Sequence, residues 1–313
     1  MCFGFNAPGA LRRSLEEKGV DRRGFLKGAM AAGVGVGLAG MGATAAVAAP
    51  AAQAAGRPVP PGLISIQLYT LRSIMRGEGV DATLASLANF GYTKVELAGY
   101  YGRTAESLRS TLDSLGITPS SSHDGISLTP AALETKIANA VTLGQTHINV
   151  PYLVSNSADD WRRWAEQMNA EAAVARTAGL KYGYHNHAHE FTTDLGGGLT
   201  PWDIFTSNLD PDLVHLEVDL YWAVRGGVEV GAADPIQFAI DTILEAPQKV
   251  LQYHVKDRAV EGDFADLGTG VIDFARVFKA HTPKEFIVEN DQPDVTPLQT
   301  AQVGYDYLRA LRF

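Results

Sequence analysis

Short apolar runs alternate with amphipathic stretches over most of the chain. Eight of these runs have the length and residue types of β-strands. They are Leu63–Tyr69, Lys94–Leu97, Thr118–His123, His147–Val150, Leu180–His185, Leu213–Asp219, Val250–Lys256 and Glu285–Glu289. Five segments between them carry apolar residues three and four positions apart, which predicts helices over Thr83–Phe90, Ala105–Leu115, Pro130–Leu143, Ala158–Ala178 and Ile236–Glu245.

This alternation predicts a parallel sheet with helices packed on it. Eight strands within about 250 residues have the size and rhythm of a (β/α)8 TIM barrel. A doubly wound open sheet is the competing architecture, and it usually has a glycine-rich phosphate loop after its first strand. The first predicted strand instead runs into Tyr69-Thr70-Leu71-Arg72, so we expect the closed barrel.

The first 48 residues have the features of an export signal. Arg22-Arg23 precede Phe25-Leu26-Lys27 and an uncharged run from Gly28 to Val47, which is typical of a twin-arginine signal peptide. The glycine and alanine content of the run makes it a poor membrane anchor, which is the alternative interpretation. We predict a signal peptide at 1–48, a disordered linker at 49–61 and the barrel at 62–313. The barrel is then secreted or located in the periplasm or cell envelope, without stable membrane insertion after cleavage.

Composition narrows the range of partners. The only cysteine, Cys2, lies in the predicted signal peptide, so the predicted barrel has no disulfide and relies on its core. The formal net charge is −9, and beyond residue 48 the chain has 20 basic against 32 acidic side chains. Such a balance repels phosphate backbones and anionic lipid, which disfavours nucleic acid as a partner.

Ligand-type residues end several of the predicted strands. In a barrel of this type the active site lies at the carboxyl ends of the strands. Alternation along the strands places Asp219, His254 and Glu289 toward the barrel axis at that end. One imidazole and several carboxylates suit Mn²⁺, Mg²⁺, Co²⁺ or Zn²⁺, with positions left open for substrate oxygens. The sequence therefore predicts a divalent metal ion at the mouth of the barrel.

The segment after the fifth predicted strand offers a fourth ligand. It reads Tyr184-His185-Asn186-His187-Ala188-His189-Glu190-Phe191. Glu190 is favoured because a hard carboxylate oxygen matches the other ligands, and His185 is the alternative. We then expect His187 or His185 to move protons near the metal, because the pKa of imidazole suits proton transfer near neutrality.

Three further residues are candidate catalytic groups at the same face. Glu96 ends the second predicted strand, His123 ends the third, and Lys256 follows His254 by two residues. Lys256 is suited to holding an oxyanion or a sugar hydroxyl, and a structural ion pair with Asp257 is the alternative.

These segments together resemble the sugar phosphate isomerase/epimerase superfamily, the xylose isomerase-like TIM barrels. The resemblance extends from about Leu63 to Arg309 and rests on Ser65–Arg72, Val95–Leu97, Tyr184–His187 with Glu190-Phe191, Glu217–Asp219, His254–Asp257, Leu267–Phe274 and Val288-Glu289. It implies a Glu-Asp-His-Glu metal set from strands five to eight. Asp219, His254 and Glu289 match that set, whereas His185 stands where the fifth strand of the family usually ends in Glu.

The resemblance also implies a class of reaction. It favours a metal-dependent isomerase or epimerase that acts on a small carbohydrate through an enediolate-type proton transfer. A dehydratase, lyase or keto-glycoside-cleaving enzyme is the alternative, because the strand-five end is rich in histidine. A non-catalytic sugar-binding protein is the second alternative. The export signal favours an unphosphorylated sugar, and the sequence leaves open whether the protein is a homo-oligomer.

Overall fold

The computed structural model describes residues 56–77 and 79–313. The predicted signal peptide and residues 49–55 of the predicted linker lie outside the described residues. Arg57 and Phe313 exchange backbone hydrogen bonds of 2.7 and 3.2 Å, and Val59 is fully buried. The folded chain therefore begins earlier than the predicted boundary at residue 62.

Eight short strands form the barrel, and each falls within one of the predicted runs. We number them β1 to β8 in chain order: Ile64–Ile66, Lys94–Leu97, Thr118–Ser122, His147–Val150, Lys181–His185, Val214–Asp219, Val250–Val255 and Glu285–Val288. A short antiparallel ladder of Asp257–Arg258 with Phe264–Ala265 follows β7.

All pairings between neighbouring barrel strands are parallel. Hydrogen bonds join β4, β5, β6, β7, β8 and β1 in that order, and β2 pairs with β3. Parallel bridges connect these two sheets, at Gln67–Glu96 beside β1 and β2 and at His123–Asn149 beside β3 and β4. The ring of strands is thereby complete, and the predicted (β/α)8 barrel is confirmed.

Helices surround the strands. In the described residues they are α1 to α10: Gly79–Phe90, Ala105–Ser114, Pro130–Leu143, Ala158–Thr177, His189–Thr192, Pro201–Asn208, Leu220–Glu229, Pro235–Glu245, Phe274–Ala280 and Pro297–Ala310. Side-chain caps begin most of them, and Thr200 and Thr296 complete capping boxes at α6 and α10. Within the described part of the chain, no helix is both long and apolar enough to cross a membrane.

The predicted helices include α1 to α4 and α8 but omit α5, α6, α7, α9 and α10. Helix α7 contains Gly226 and Gly227, and glycine lowers helix propensity. Both glycines permit close packing: a Cβ at Gly226 would lie 2.7 Å from the ring of Phe191, and one at Gly227 would lie 3.0 Å from the ring of Phe238. The two glycines weaken the helical sequence pattern of α7, and they also allow aromatic rings to pack directly on the helix backbone.

The interior of the barrel is unusually polar. Barrels of this fold usually fill their interior with branched aliphatic side chains. Here the Gln252 amide oxygen accepts a hydrogen bond from Asn149 (3.0 Å), and its nitrogen donates to Ser121 (3.2 Å) and Glu285 (3.0 Å). Apart from Asn149 Oδ1, which has no hydrogen-bond partner, the side-chain atoms of these four residues pair with one another or with neighbouring groups. Such pairing limits the cost of removing them from water.

Gly183 on β5 allows this interior to pack closely. A methyl group at Gly183 would lie within 2.5 Å of His215 Nε2 and closer still to Asn149 Oδ1. We expect Gly183→Ala to lower the free energy of unfolding by about 1–3 kcal/mol through overpacking, measured by urea denaturation. Gly125→Ala is the control, because an added methyl there meets nothing within 4 Å. Equal stability of Gly183→Ala and the wild type would contradict this packing.

His147 provides a pH-dependent contribution to stability. Its ring centroid lies 5.1 Å from that of His215 inside the barrel. Burial, followed by the neighbouring His215, lowers the pKa of His147 from 6.5 to about 3. Between these two values the unfolded chain binds a proton at this residue that the folded chain does not, so stability falls as the pH decreases.

Replacement of His147 should therefore flatten the acid side of the stability profile. We expect His147→Gln to reduce the dependence of unfolding free energy on pH by up to about 1.4 kcal/mol per pH unit. Denaturant unfolding at several pH values across that window measures it. A wild-type slope in His147→Gln would refute the assignment.

Candidate metal centre

The carboxyl ends of the strands gather buried titratable side chains at one mouth of the barrel. Alternate positions along a strand share a face, so β6 supplies two of them, and β7 with the residue after it supplies another two. Except for the slightly more exposed His123, these side chains are at most 5% exposed. The group comprises Glu96, His123, His185, Glu217, Asp219, His254, Lys256 and Glu289.

Three predicted ligands lie side by side, and we name Asp219, His254 and Glu289 the carboxylate cluster. Each offers a potential ligand atom, and these atoms lie within 4.8 Å of one another. His254 Nδ1 is 2.8 Å from Glu289 Oε2. Asp219 caps α7, where its Oδ1 accepts the backbone N–H of Trp222 at 3.0 Å. The cap fixes the carboxylate at the strand end and directs its other oxygen toward the cluster.

Lys256 is an internal cation of this cluster. Its Nζ lies 2.9 Å from Asp219 Oδ2, 2.7 Å from Glu289 Oε2 and 3.0 Å from Asp291 Oδ2. Burial by itself would lower the pKa of Lys256, but these carboxylates outweigh burial and raise the pKa well above its usual value. The amine is therefore charged at neutral pH and balances the carboxylates.

The alternative pairing of Lys256 with Asp257 does not form. The Asp257 Oδ2 atom instead accepts the backbone N–H groups of Gly268 and Gly270, both at 3.0 Å. This carboxylate holds the loop between the short ladder and α9, which leaves Lys256 to the mouth of the barrel.

A second group adjoins the first, and we name His123, His185, Glu217 and His254 the histidine cluster. Its potential ligand atoms also lie within 4.8 Å of one another. Glu217 Oε1 is 2.8 Å from His123 Nε2, 3.2 Å from His185 Nδ1 and 3.2 Å from His254 Nε2. Its other oxygen accepts a hydrogen bond of 2.6 Å from Asn149. Sequence alternation shows that Glu217 points inward, but not that it meets a histidine from β3.

Glu96 supports His254 from the interior. Its Oε1 accepts a hydrogen bond from Gln67 and lies 2.7 Å from His254 Nε2. Its Oε2 accepts the hydroxyl of Ser121. With these partners and no exposed surface, Glu96 is placed to orient His254.

Opposing effects set the charges at the mouth. Burial raises the pKa of Asp219 to about 6, although Lys256 opposes that rise. Burial would also raise the pKa of Glu217, but the neighbouring imidazoles, His254 foremost, lower it well below its usual range. Burial would lower the pKa of His254, but the surrounding carboxylates raise it well above 6.5. The buried carboxylates are thus balanced by Lys256 and a protonated His254.

Two histidines of the strand-five segment are held neutral. Burial, and then the charge of His254, lowers the pKa of His185 to about 3. Burial, and then His185, lowers the pKa of His187 well below 6.5. The His187 ring lies 5.1 Å from that of His185 and 5.2 Å from that of Trp222, measured between centroids. A neutral imidazole at this position can ligate a metal or accept a proton.

Glu190, the favoured fourth ligand, joins neither cluster. Its Oε1 accepts the Tyr184 hydroxyl (2.6 Å) and its Oε2 accepts the backbone N–H of His187 (2.8 Å). Tyr184 alternates with the inward His185 and packs against Phe205 of α6, with ring centroids 4.7 Å apart. Glu190 therefore lies on the helix side of β5, and the inward position belongs to His185, the alternative candidate.

This placement makes Glu190 a structural residue. We expect Glu190→Gln to lower the free energy of unfolding by about 1–3 kcal/mol, because one buried hydrogen bond is lost, and to leave metal affinity unchanged. Urea denaturation and metal titration measure the two effects. Glu171→Gln, at a buried carboxylate paired with Lys136, is a matched control. Loss of metal binding in Glu190→Gln alone would return Glu190 to the ligand set.

The donors of the carboxylate cluster fit a divalent cation. Two carboxylates and one imidazole suit Mn²⁺, Mg²⁺, Co²⁺ or Zn²⁺. The cap on Asp219 and the contact of Glu96 with His254 are the kind of supporting contacts that hold metal ligands in place.

The comparisons with known proteins agree with this architecture. The profile of the xylose isomerase-like TIM barrel family matches residues 84–287. A sugar phosphate isomerase/epimerase from Parabacteroides distasonis is 25% identical, with a TM-score of 0.65 over 86% of this chain and 98% of that chain. A search of curated proteins finds no match.

Two other solved structures share the fold at lower identity. An L-ribulose 3-epimerase is 18% identical, with a TM-score of 0.56 over 78% of this chain and 92% of that chain. The IOLI protein, solved with a zinc atom, is 13% identical, with a TM-score of 0.59 over 78% of this chain and 95% of that chain. The profile match covers more than half of the chain, and the protein belongs to the xylose isomerase-like TIM barrel family.

Proposed function

We propose that this protein is a metal-dependent isomerase or epimerase that acts on a small carbohydrate. The observation that carries the proposal is the convergence of Asp219, His254 and Glu289, buried at the barrel mouth, beside the neutral imidazole of His187. Family membership and the likeness to a sugar phosphate isomerase/epimerase support it.

The carboxylate cluster would hold the divalent ion. Bound there, a Mn²⁺, Mg²⁺, Co²⁺ or Zn²⁺ ion would polarise a carbonyl and a neighbouring hydroxyl of the sugar, which makes the adjacent C–H more acidic.

The surrounding residues then have separate roles. His187, held neutral by burial, accepts the proton from carbon and returns it to the same or a neighbouring atom. The ammonium of Lys256 stabilises the oxygen that becomes negative during this transfer. Tyr152 is 52% exposed, and its ring lies 5.0 Å from that of His187, where a sugar ring can stack on it. His185, Glu96 and His123 hold the ligands around this centre.

The sugar in this proposal carries no phosphate. Asp219, Glu289 and Asp291 all face the mouth around a single lysine, which disfavours a dianionic group beside them. The Arg22-Arg23 pair and the uncharged run after it support export by the twin-arginine route, and sugar phosphates are mainly cytosolic.

A dehydratase or lyase, including an enzyme that cleaves keto-glycosides, is the second candidate. It begins with the same loss of a proton next to a carbonyl and then expels the substituent on the neighbouring carbon. The observation that favours it is His185, an imidazole at the inward end of β5 where the family usually has a carboxylate. A neutral imidazole there could give a proton to the leaving oxygen after taking one from carbon.

Hydrogen exchange separates these candidates. Manganese-loaded protein is incubated in deuterated water with free ketoses, free aldoses and 3-keto-glycosides, and the products are followed by NMR. We expect deuterium at the carbon next to the carbonyl, together with the isomer or epimer. Asp219→Asn should slow this exchange by at least about 100-fold, because even residues that only orient a metal ligand cost 10–100-fold when lost. Glu171→Gln should keep the wild-type rate.

The other outcomes have defined meanings. Deuterium incorporation with release of the aglycone identifies the lyase. Sugar binding without incorporation on the whole panel refutes the enzyme and leaves a sugar-binding protein. A wild-type exchange rate in Asp219→Asn refutes the carboxylate cluster as the reaction centre.

A further inference from the structure

The histidine cluster has the composition of a metal site of its own. His123, His185, Glu217 and His254 come from the ends of β3, β5, β6 and β7, and their potential ligand atoms lie within 4.8 Å of one another. Three imidazoles and one carboxylate make a nitrogen-rich donor set, which suits zinc and other transition metals better than Mg²⁺. The carboxylate cluster, with two carboxylates and one imidazole, has the opposite balance.

The spacing of these donors matches a coordination shell. Two ligand atoms about 2.0–2.1 Å from a tetrahedral zinc ion lie about 3.3 Å from each other. The Glu217 Oε1 atom lies 2.8 Å from His123 Nε2 and 3.2 Å from both His185 Nδ1 and His254 Nε2. Small movements of these side chains would therefore place all four donors around one ion.

His185 provides an independent sign that the cluster takes a ligand. Its side chain is 3% exposed, and Nδ1 has no hydrogen-bond partner. That atom points toward Glu217 Oε1 at 3.2 Å without the alignment of a hydrogen bond. A buried nitrogen without a partner is costly, and coordination of a cation would satisfy it.

The neighbouring groups hold the donors in the orientation that a metal requires. Asn149 donates to Glu217 Oε2 at 2.6 Å, which leaves Oε1 directed into the cluster. His254 Nδ1 lies 2.8 Å from Glu289, and Nε2 lies 2.7 Å from Glu96 Oε1. Coordination through Nε2 would replace the contact with Glu96 and keep the donation from Nδ1–H to Glu289. Such carboxylate support is usual for metal-bound imidazoles. Glu96, 3.2 Å from His123 Nε2, adds a second negative charge beside the ion.

We propose that His123, His185, Glu217 and His254 bind a transition-metal ion, best represented by Zn²⁺, at a second site beside the carboxylate cluster. Four protein ligands complete a tetrahedral shell, which is the arrangement of structural zinc. The ion ties β3, β5, β6 and β7 together at their carboxyl ends. The site shares His254 with the carboxylate cluster, so one imidazole borders both ions. The ion of the second site has no open position for a sugar.

Zinc binding to a variant that lacks the first cluster tests the site. In Asp219→Asn, prepared without metal by chelation, we expect one zinc ion per chain, measured by calorimetric titration and elemental analysis. Addition of His123→Gln or His185→Gln to Asp219→Asn should weaken zinc binding by at least about 100-fold, because each removes a direct ligand. Addition of His281→Gln, a histidine that contacts Tyr253 outside both clusters, should leave zinc affinity unchanged.

Each remaining result decides the matter. Loss of zinc from Asp219→Asn itself, or full zinc binding after the His123→Gln and His185→Gln substitutions, overturns the second site. Because the proposed function is judged by hydrogen exchange in the wild type, either proposal can fail without the other. Circular dichroism establishes that each variant folds.

Where a variant does not fold, anomalous diffraction at the zinc edge from wild-type crystals decides instead. A peak about 2.1 Å from His123 Nε2 and His185 Nδ1 supports the site. A peak found only between Asp219 and Glu289, or no peak, rejects it.

Discussion

The mouth of this barrel depends on the pairing of buried carboxylates with buried cations. Four carboxylates there are at most 5% exposed, and each would cost several kcal/mol to bury without a partner. Lys256 contacts both Asp219 and Glu289, and His254 contacts both Glu96 and Glu289. Because each cation contacts more than one carboxylate, loss of either cation weakens the charge pairing of more than one carboxylate. The charge balance therefore joins the strand ends into one unit.

Local sequence pattern predicts the strands well and the outer layer less well. Every barrel strand lies within a predicted apolar run, because a buried strand contributes a continuous stretch of apolar residues to the local sequence. Helix α7 escapes prediction because Gly226 and Gly227 serve contacts with Phe191 and Phe238, which are distant in sequence. The pairing of Arg57 with Phe313 is also a contact between distant parts of the chain, so composition alone places the fold boundary too late.

The residues of the site also differ in whether local sequence or contacts between distant segments determine their positions. Asp219 lies on a strand, and His254 and Glu289 lie on or directly after theirs, so alternation predicts that all three face the barrel mouth, where their side chains converge. Glu190 fails because the chain leaves β5 after His185 and turns into a short helix, where alternation no longer applies. The meeting of His123 with Glu217 depends on the closure of the ring, which sequence spacing does not encode.

The position of Lys256 has a consequence for how the carboxylate cluster acquires an ion. A positive charge already lies 2.9 Å from Asp219 and 2.7 Å from Glu289. Binding of the proposed divalent ion would therefore be a displacement, in which the carboxylates must attract the ion more strongly than they attract the resident ammonium. Such competition would discriminate against monovalent ions, which bring no more charge than the lysine that they would replace. In the folded chain the same ammonium also offsets the charge of both carboxylates when no ion is bound.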